Sequence, residues 1–358
     1  MSFAVFALGA IGLAQTTGTI YVNTNQTTNE IWSYTRAIDG TLTFAGSFST
    51  QGAGSNGNDL GSQGAVILSK NGKFLFVANA GSNEITSFAV NPGGQLTFVQ
   101  KIPSGGVFPN SLTMFGNLLY ALNAQGTAAN ITAFRVNTAG QMRAIANSTR
   151  PLSTALPKPA QVQFNNNGKL LVVAEIATSK IDTYTVGLDG RATGPTVQNS
   201  AGPGPFGFAF DRVGHLIVSE VALSSASSYS VSNTGTLTPI TSALVDFGKA
   251  ACWVVNTANR NFPSQYSYIT NTADDTISGF KIGSDGSLAL LNPDGRTFVL
   301  PKGADPLDEI LSRDSNYLYV LEGLFGGVVG FQIQTDGSLV QVTQILGTPA
   351  SSYGITGN

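Results

Sequence analysis

The sequence predicts an all-β protein: a seven-bladed β-propeller with four-stranded antiparallel blades, its ring closed by the C-terminal strand. Three observations predict this fold. A pattern of four short apolar strands recurs along the chain, and a Gly-containing turn between the third and fourth strands recurs about every fifty residues. One strand is missing at the start of the series and one is left over at its end. Such a period and such a mismatch are typical of closed propellers.

One copy of the pattern occupies residues 64–100, GAVILSKNGKFLFVANAGSNEITSFAVNPGGQLTFVQ. Strand A is followed by an Asn-Gly turn, strand B (FLFVAN), a polar loop, strand C (EITSFAV), a second turn and strand D (LTFVQ). Alternating apolar residues joined by such turns indicate antiparallel meanders. Further copies begin near Pro109, Pro159, Pro205, Ala251 and Pro306.

The turns between strands C and D count the blades. There are seven of them: Asp39-Gly40, Gly93-Gly94, Ala139-Gly140, Asp189-Gly190, Thr234-Gly235, Asp285-Gly286 and Asp336-Gly337. The first copy begins with strand B at residues 19–23, and SSYGIT (351–356) remains after the last copy. We therefore predict that residues 351–356 provide strand A of the first blade, which leaves only short sheet edges. The helix-like segment 308–313 falls where a strand A is due, and it is predicted to be a strand.

The N-terminal residues 1–14 form an apolar run that ends in small residues, as in a secretory signal peptide. The alternative is a buried first strand. Residues 15–358 are then a single propeller domain. Acceptor triplets at Asn25, Asn130 and Asn147 favour N-glycosylation and export from a eukaryotic cell. We expect a secreted glycoprotein without a membrane anchor.

The composition excludes some classes of partner. Only 11% of the residues are charged, the formal net charge is -2, and no cluster of Lys and Arg exists to bind nucleic acid. Cys252 is the single cysteine, so no intrachain disulfide can form. The expected partner is a small-molecule substrate, and the oligomeric state is left open.

Polar residues end strand B in six copies. They are Asn79, Asn123, Glu175, Glu220, Asn271 and Glu322. Strand B ends on the face that carries the longer B–C and D–A loops, where a ligand site is expected. We predict the three glutamates as catalytic and the three asparagines as substrate-binding. The alternatives are that these side chains cap loop backbone or supply oxygen ligands to Ca²⁺. No other cofactor or metal is expected.

Five aromatic residues are predicted to contact substrate on the same face. Four come from D–A loops and the last from a B–C loop: Phe108, Phe206, Trp253, Tyr353 and Phe325. Aromatic walls around a few polar groups suit a flat, conjugated or terpenoid-like ligand. The alternative is packing between blades.

Other motifs in the sequence do not point to a functional site. Residues 52–57 spell GxGxxG, but no helix is expected after them to bind a phosphate. His215 is the only histidine and lies in an A–B turn on the opposite face. It therefore cannot act as the base for Cys252, complete a Ser-His-Asp triad or build a histidine-based zinc site.

The repeats, together with the segments STRPL, PAQV, PFGFAFDR and ACWVV, resemble the lactonase-type seven-bladed propeller family. Many secreted members are described as 3-carboxymuconate cyclase-like. The family typically carries Gly-x-Gly-Pro-Arg-His at the head of an inner strand, and residues 202–207 read GPGPFG instead. The loss of the cationic pair disfavours a charged sugar lactone and favours an apolar substrate.

Three functional hypotheses follow. The leading one is a secreted enzyme, independent of metal and histidine, that cyclises or isomerises a small apolar molecule. Fungal propellers that act as hetero-Diels–Alderases in secondary metabolism are similar in kind. The second is a lactone hydrolase or muconate cycloisomerase that uses a glutamate of strand B as base. The third is a non-catalytic secreted or cell-wall binding propeller.

Overall fold

Thirty β-strands build the protein in a computed structural model that describes residues 16–57 and 60–358. The predicted signal peptide, residues 1–14, lies outside the described residues. The strands, β1 to β30 in chain order, are Thr16–Asn23, Glu30–Ala37, Leu42–Ser49, Val66–Leu68, Phe74–Asn79, Glu84–Val90, Leu96–Pro103, Val107–Phe115, Leu118–Gln125, Asn130–Val136, Met142–Ala144, Arg150–Pro151, Pro159–Phe164, Leu170–Glu175, Lys180–Val186, Ala192–Asn199, Pro205–Phe210, Leu216–Glu220, Ser225–Val231, Leu237–Val245, Ala251–Asn256, Gln265–Asn271, Thr276–Ile282, Leu288–Leu290, Phe298–Val299, Pro306–Leu311, Tyr317–Glu322, Gly327–Ile333, Leu339–Leu346 and Ile355–Gly357. Two 3₁₀ turns, Pro92–Gly94 and Thr272–Asp274, accompany them. Within the described residues, no helix has the length and apolar character needed to cross a membrane.

The strands form seven antiparallel sheets, and each sheet is one blade of a propeller. From strand A to strand D, the blades are β30-β1-β2-β3, β4-β5-β6-β7, β8-β9-β10-β11, β13-β14-β15-β16, β17-β18-β19-β20, β21-β22-β23-β24 and β26-β27-β28-β29. The short strands β12 and β25 add to the outer parts of blades 3 and 6. The predicted fold class is confirmed.

The ring closes between the two ends of the described chain. Ile355 pairs with Val22, and Gly357 pairs with Ile20. The prediction of a closing C-terminal strand is therefore confirmed, with the strand at Ile355–Gly357 rather than over the whole of 351–356. The helix-like segment is also extended, since β26 runs to Leu311 before the chain turns.

In blades 3, 6 and 7, a tyrosine of strand B fixes the blade against the next one. The hydroxyls of Tyr120 and Tyr319 donate to the carbonyl oxygens of Gly190 and Gly40, each over 2.8 Å. Gly40 has a φ of 86°, and a Cβ on it would lie 2.3 Å from the ring of Tyr317. The Gly of the C–D turn is therefore required by both the turn and the neighbouring blade.

We call the side with the A–B and C–D turns the turn face, and the side with the B–C and D–A loops the loop face. His215 lies on the turn face between β17 and β18, where its Nδ1 is 2.7 Å from Asp211 Oδ2. Residues 52–57 open no helix. Both agree with the sequence-based expectations.

The predicted glycosylation positions differ in exposure. Glycosylation at Asn25 requires an exposed side chain, but Asn25 is buried, and its Nδ2 donates to Ser55 Oγ over 2.7 Å. This burial corrects the expectation and argues against a glycan there. Asn130 is half-buried and accepts a bond from Asn123, whereas Asn147 is exposed. Glycosylation stays a prediction, now centred on Asn147.

Candidate active site in the central channel

The six polar residues at the ends of strand B are all buried. Four of them pack against a glycine of the D–A loop before their own blade, and a Cβ on that glycine would lie within 2.6 Å of the polar side chain. The pairs are Gly52 with Asn79, Gly106 with Asn123, Gly202 with Glu220, and Gly248 with Asn271. The repeated glycine makes room for the polar side chain beneath the loop.

The glutamates at these positions are held by groups of their own blades. Glu220 accepts bonds from Gly202 N over 3.0 Å and from Ser225 Oγ over 2.7 Å. Glu322 accepts two bonds from Gln344 Nε2, over 3.1 and 2.8 Å. Burial raises the pKa of both carboxyls. The contacts of Glu220 support the capping interpretation, whereas Glu322 is held by a side chain of β29.

Glu175 belongs to a second buried arrangement, in blade 4. It accepts bonds from Ser153 N over 3.0 Å and from Thr178 Oγ1 over 2.6 Å. Ser153 N also donates to Asp182 Oδ2 over 2.8 Å. Burial, together with the charge of Glu175, raises the pKa of Asp182 to about 8. These contacts hold the D–A loop at Ser153, and a catalytic role for the three glutamates stays a prediction.

The predicted aromatic residues come together only in part. The ring centroids of Phe206 and Trp253 are 5.0 Å apart, and those of Trp253 and Tyr353 are 5.6 Å apart. Phe108 and Tyr353 pack against a common small apolar cluster. Phe325 is 39% exposed on the loop face. Four of the five therefore pack at the loop-face end of the channel.

The D–A loop that precedes β4 crosses this end of the channel. Trp253 Nε1 donates to Ser62 O over 2.9 Å. Gln63 N donates to Ala160 O in blade 4 over 3.0 Å, and the Gln63 side chain pairs with the backbone of Val254 in blade 6. The loop and the aromatic residues together close the channel on the loop face.

Below this closure lies a channel cavity of about 260 Å³, lined by strand A of several blades. In β4 and β26 the first residues are buried and the last are partly exposed. Strand A runs from the loop face to the turn face. The cavity therefore opens on the turn face, opposite to the face expected from the sequence.

Two consecutive carboxyls of β26, Asp308 and Glu309, line this cavity. Asp308 accepts bonds from Glu309 N over 2.9 Å and from Ile355 N over 3.3 Å. Glu309 faces the backbone of Val255, but neither of its oxygens has a hydrogen-bond partner within the described residues. Burial raises the pKa of Asp308 to about 7. Burial and the charge of Asp308 raise the pKa of Glu309 well above its usual range.

Comparison of the blades shows how unusual Glu309 is. It pairs with Val320, two residues before the end of strand B. The residues in the same register are Val66, Leu112, Val162, Phe208, Val254 and Thr356. Five are apolar, and burying an unpartnered polar group costs about 1 to 3 kcal/mol. Glu309 is not among the site residues predicted from the sequence, although an alignment of PLDEIL with PAQVQF places it opposite Val162.

The rest of the described lining combines apolar residues with several uncharged polar side chains. Gln161 Nε2 donates to Gln163 Oε1 over 2.9 Å, and Thr113 and Thr356 lie nearby. No Lys, Arg or His is among the described residues that line the cavity. Over residues 16–57 and 60–358, no three His, Cys, Asp or Glu side chains are grouped closely enough to hold a metal ion.

Solved structures share the fold. A proposed 6-phosphogluconolactonase of Bacteroides fragilis is 18% identical, with a TM-score of 0.74 over 95% of this chain and 98% of that chain. The periplasmic gluconolactonase of Pseudomonas aeruginosa is 15% identical, with a TM-score of 0.72 over 95% and 98%. Virginiamycin B lyase of Staphylococcus aureus is 14% identical, with a TM-score of 0.55 over 83% and 89%. At these identities the likeness establishes the fold alone.

Sequence comparison establishes the family. Curated proteins give no significant match. The profile of the family described as Lactonase, 7-bladed beta-propeller, matches residues 16–150 and 109–212, which together make up more than half of the chain. The chain therefore belongs to the lactonase family of seven-bladed β-propellers.

Proposed function

We propose that the protein is a lactone hydrolase that opens a small uncharged lactone in the central channel. The observation that carries the proposal is Glu309, a buried carboxyl that has no hydrogen-bond partner among the described residues and occupies a position that is apolar in five other blades. Such a group is costly to keep in a core, and a strongly shifted carboxyl in a cavity is characteristic of acid–base sites. Membership of the lactonase family supports the reaction class.

In the proposed reaction, one of the two carboxyls acts as the general base and the other as the general acid. Ionised Asp308 takes a proton from water as the water oxygen attacks the lactone carbonyl carbon. Glu309, which burial keeps protonated, donates its proton to the ring oxygen as the acyl C–O bond breaks. The product is a hydroxy acid, and the proton returns from Asp308 to Glu309 through solvent. The amide of Gln163 donates to the carbonyl oxygen.

The charge of the site selects the substrate. Two carboxyls line the cavity, and no cationic side chain is among the described lining residues. A phosphate or carboxylate on the substrate would be desolvated beside Asp308 without a counter-charge. The substrate is therefore an uncharged lactone, unlike the phosphorylated lactone for which the Bacteroides fragilis protein is named.

The pH dependence follows from the two pKa shifts. Activity needs Asp308 ionised and Glu309 protonated. It should rise with pH through about 7, where Asp308 loses its proton, and fall again when Glu309 does. A rate that rises from pH 4 and is flat above 5 would exclude Asp308 as the base.

The test is hydrolysis of δ-valerolactone, gluconolactone and 6-phosphogluconolactone, followed by acid release in a pH-stat. Glu309→Gln and Asp308→Asn should each lower kcat/KM by about 10²- to 10⁴-fold. The control Asp246→Asn removes a buried carboxyl with a raised pKa outside the channel and should leave the rate unchanged.

Glu175→Gln, Glu220→Gln and Glu322→Gln test the site predicted on the loop face. If one of these removes activity while Glu309→Gln keeps it, the channel assignment is wrong. Hydrolysis of 6-phosphogluconolactone as fast as that of δ-valerolactone would overturn the charge argument.

A second candidate is the cyclisation or isomerisation of an apolar molecule. A separate cavity of about 330 Å³ on the loop face favours it, since Tyr353, Leu307 and Leu324 line it. Here Tyr353→Ala should reduce turnover and Glu309→Gln should not. Secretion is proposed with either function. Its test is the N-terminal sequence of the exported protein, which should lack residues 1–14.

A further inference from the structure

We infer that the substrate enters from the turn face and carries an aliphatic substituent, which binds in an apolar collar around the mouth of the channel. The collar is defined by Ile67, Leu68, Met114 and Ile310, all of which line the cavity. The inference names the substrate class of the proposed lactone hydrolase and rests on that function.

The collar lies between the carboxyls and the turn face. By strand register, Val66 is level with Glu309, so Ile67 and Leu68 lie one and two residues nearer the turn face. Met114 is in register with Leu68. At about 3.3 Å per residue along a strand, the collar extends to roughly 7 Å from the level of Glu309.

The collar combines an apolar surface with access to solvent. Its four residues are half-buried, whereas Val66 and Glu309 are buried. Since Gln63 and Trp253 close the loop-face end, a ligand that reaches Asp308 and Glu309 must pass the collar. A lactone ring among the carboxyls would therefore leave its substituent against these apolar side chains.

The chemistry of the collar favours an alkyl chain over a sugar. Sugar hydroxyls would give up water for apolar side chains, which is unfavourable without replacement hydrogen bonds. An alkyl chain gains free energy with each methylene buried. The unbranched thioether of Met114 can adapt to chains of different shape.

The experiment compares γ-butyrolactone, γ-hexalactone and γ-octalactone with the wild-type protein. We expect kcat/KM to rise by about fourfold for each methylene until the chain passes the rim. Met114→Gln and Ile310→Gln should reduce the ratio of the γ-octalactone rate to the γ-butyrolactone rate at least tenfold. The control Ile38→Gln changes an exposed apolar residue of a C–D turn and should keep the ratio.

Binding separates the two proposals. Calorimetry should show that γ-octalactone binds to the Glu309→Gln variant. Adding Met114→Gln to this variant should weaken that binding. If no lactone is hydrolysed but this binding pattern holds, the collar is supported and the hydrolase is not. If hydrolysis depends on Glu309 but is equal across the three lactones, the collar is overturned and the hydrolase stands.

Discussion

Replacing Glu309 with Val should stabilise the protein and abolish lactone hydrolysis. Val is the residue in the same register in blades 2, 4 and 6, at Val66, Val162 and Val254. The substitution removes two carboxyl oxygens that lack partners among the described residues and leaves a side chain that the repeat already accommodates. We expect the free energy of unfolding at pH 7 to rise by about 1 to 3 kcal/mol.

The pH dependence of stability gives the same prediction a second readout. Burial raises the pKa of Asp308 and Glu309, so the folded state keeps protons that the unfolded state has released. Below the ordinary carboxyl pKa both carboxyls are protonated in either state, and the free energy of unfolding is not reduced by them. As the pH rises above that value, this stability is lost. Each carboxyl lowers the free energy of unfolding by up to about 1.4 kcal/mol per pH unit between its unfolded and folded pKa. Glu309→Val should have a shallower decline than the wild type.

Urea unfolding at pH 5, 6 and 7, followed by tryptophan fluorescence, measures both effects. Glu309→Gln is the matched control, because it removes the ionisation but keeps a polar group. Glu309→Gln should flatten the pH dependence of the free energy of unfolding. It should not raise the free energy of unfolding at pH 5 as Glu309→Val does. The reasoning is refuted if Glu309→Val is less stable than the wild type by more than about 1 kcal/mol, the net worth of one hydrogen bond.

The remaining predictions concern the fold and the residues outside the site. Deletion of residues 355–358 removes β30 and should prevent soluble folding, as checked by size exclusion and circular dichroism; an unchanged Tm would contradict ring closure. Gly202→Ala should lower the free energy of unfolding by about 1 to 3 kcal/mol, because its Cβ would overlap the carboxyl beneath the loop. Asn147→Gln should remove a glycan mass from protein secreted by a eukaryotic host, and an unchanged mass spectrum counts against glycosylation there. His215→Ala and Cys252→Ala should each keep near-native hydrolysis, since His215 lies in a surface turn and neither residue lines the cavity; inactivity of a folded variant would mean that the site is misplaced.

The fold was predictable because its determinants are local and repeated. Each C–D turn needs a Gly with positive φ, such as Gly40 and Gly190, and these residues can be counted in the sequence. Ring closure was predictable because the first copy of the repeat lacks a strand and one strand is left over after the last copy. The exact position of the closing strand did not follow, since its start at Ile355 depends on pairing with Val22 across the whole chain.

The face on which the channel opens could not be predicted in this way. The long D–A loop before β4 resembles any polar loop in sequence, yet Gln63 bonds to Val254, 191 residues away, and closes the channel. Trp253 was assigned to a substrate wall from its place near a loop. The structure shows it buried with its N–H bonded to Ser62 O. Both outcomes depend on contacts between distant blades, and no local pattern carries that information.

Glu309 illustrates what a repeat protein offers beyond its fold. In a chain without repeats, a buried glutamate can be judged only against general preferences. Here the residues in the same backbone register of other blades are Val66, Val162 and Val254, and they show which side chain packing alone favours at this position. The departure at Glu309 then needs a cause other than packing. We propose that proton transfer is that cause, because Glu309 lies beside Asp308 in a cavity that opens to solvent, and we therefore place the chemistry in the channel rather than among the strand B glutamates of the loop face.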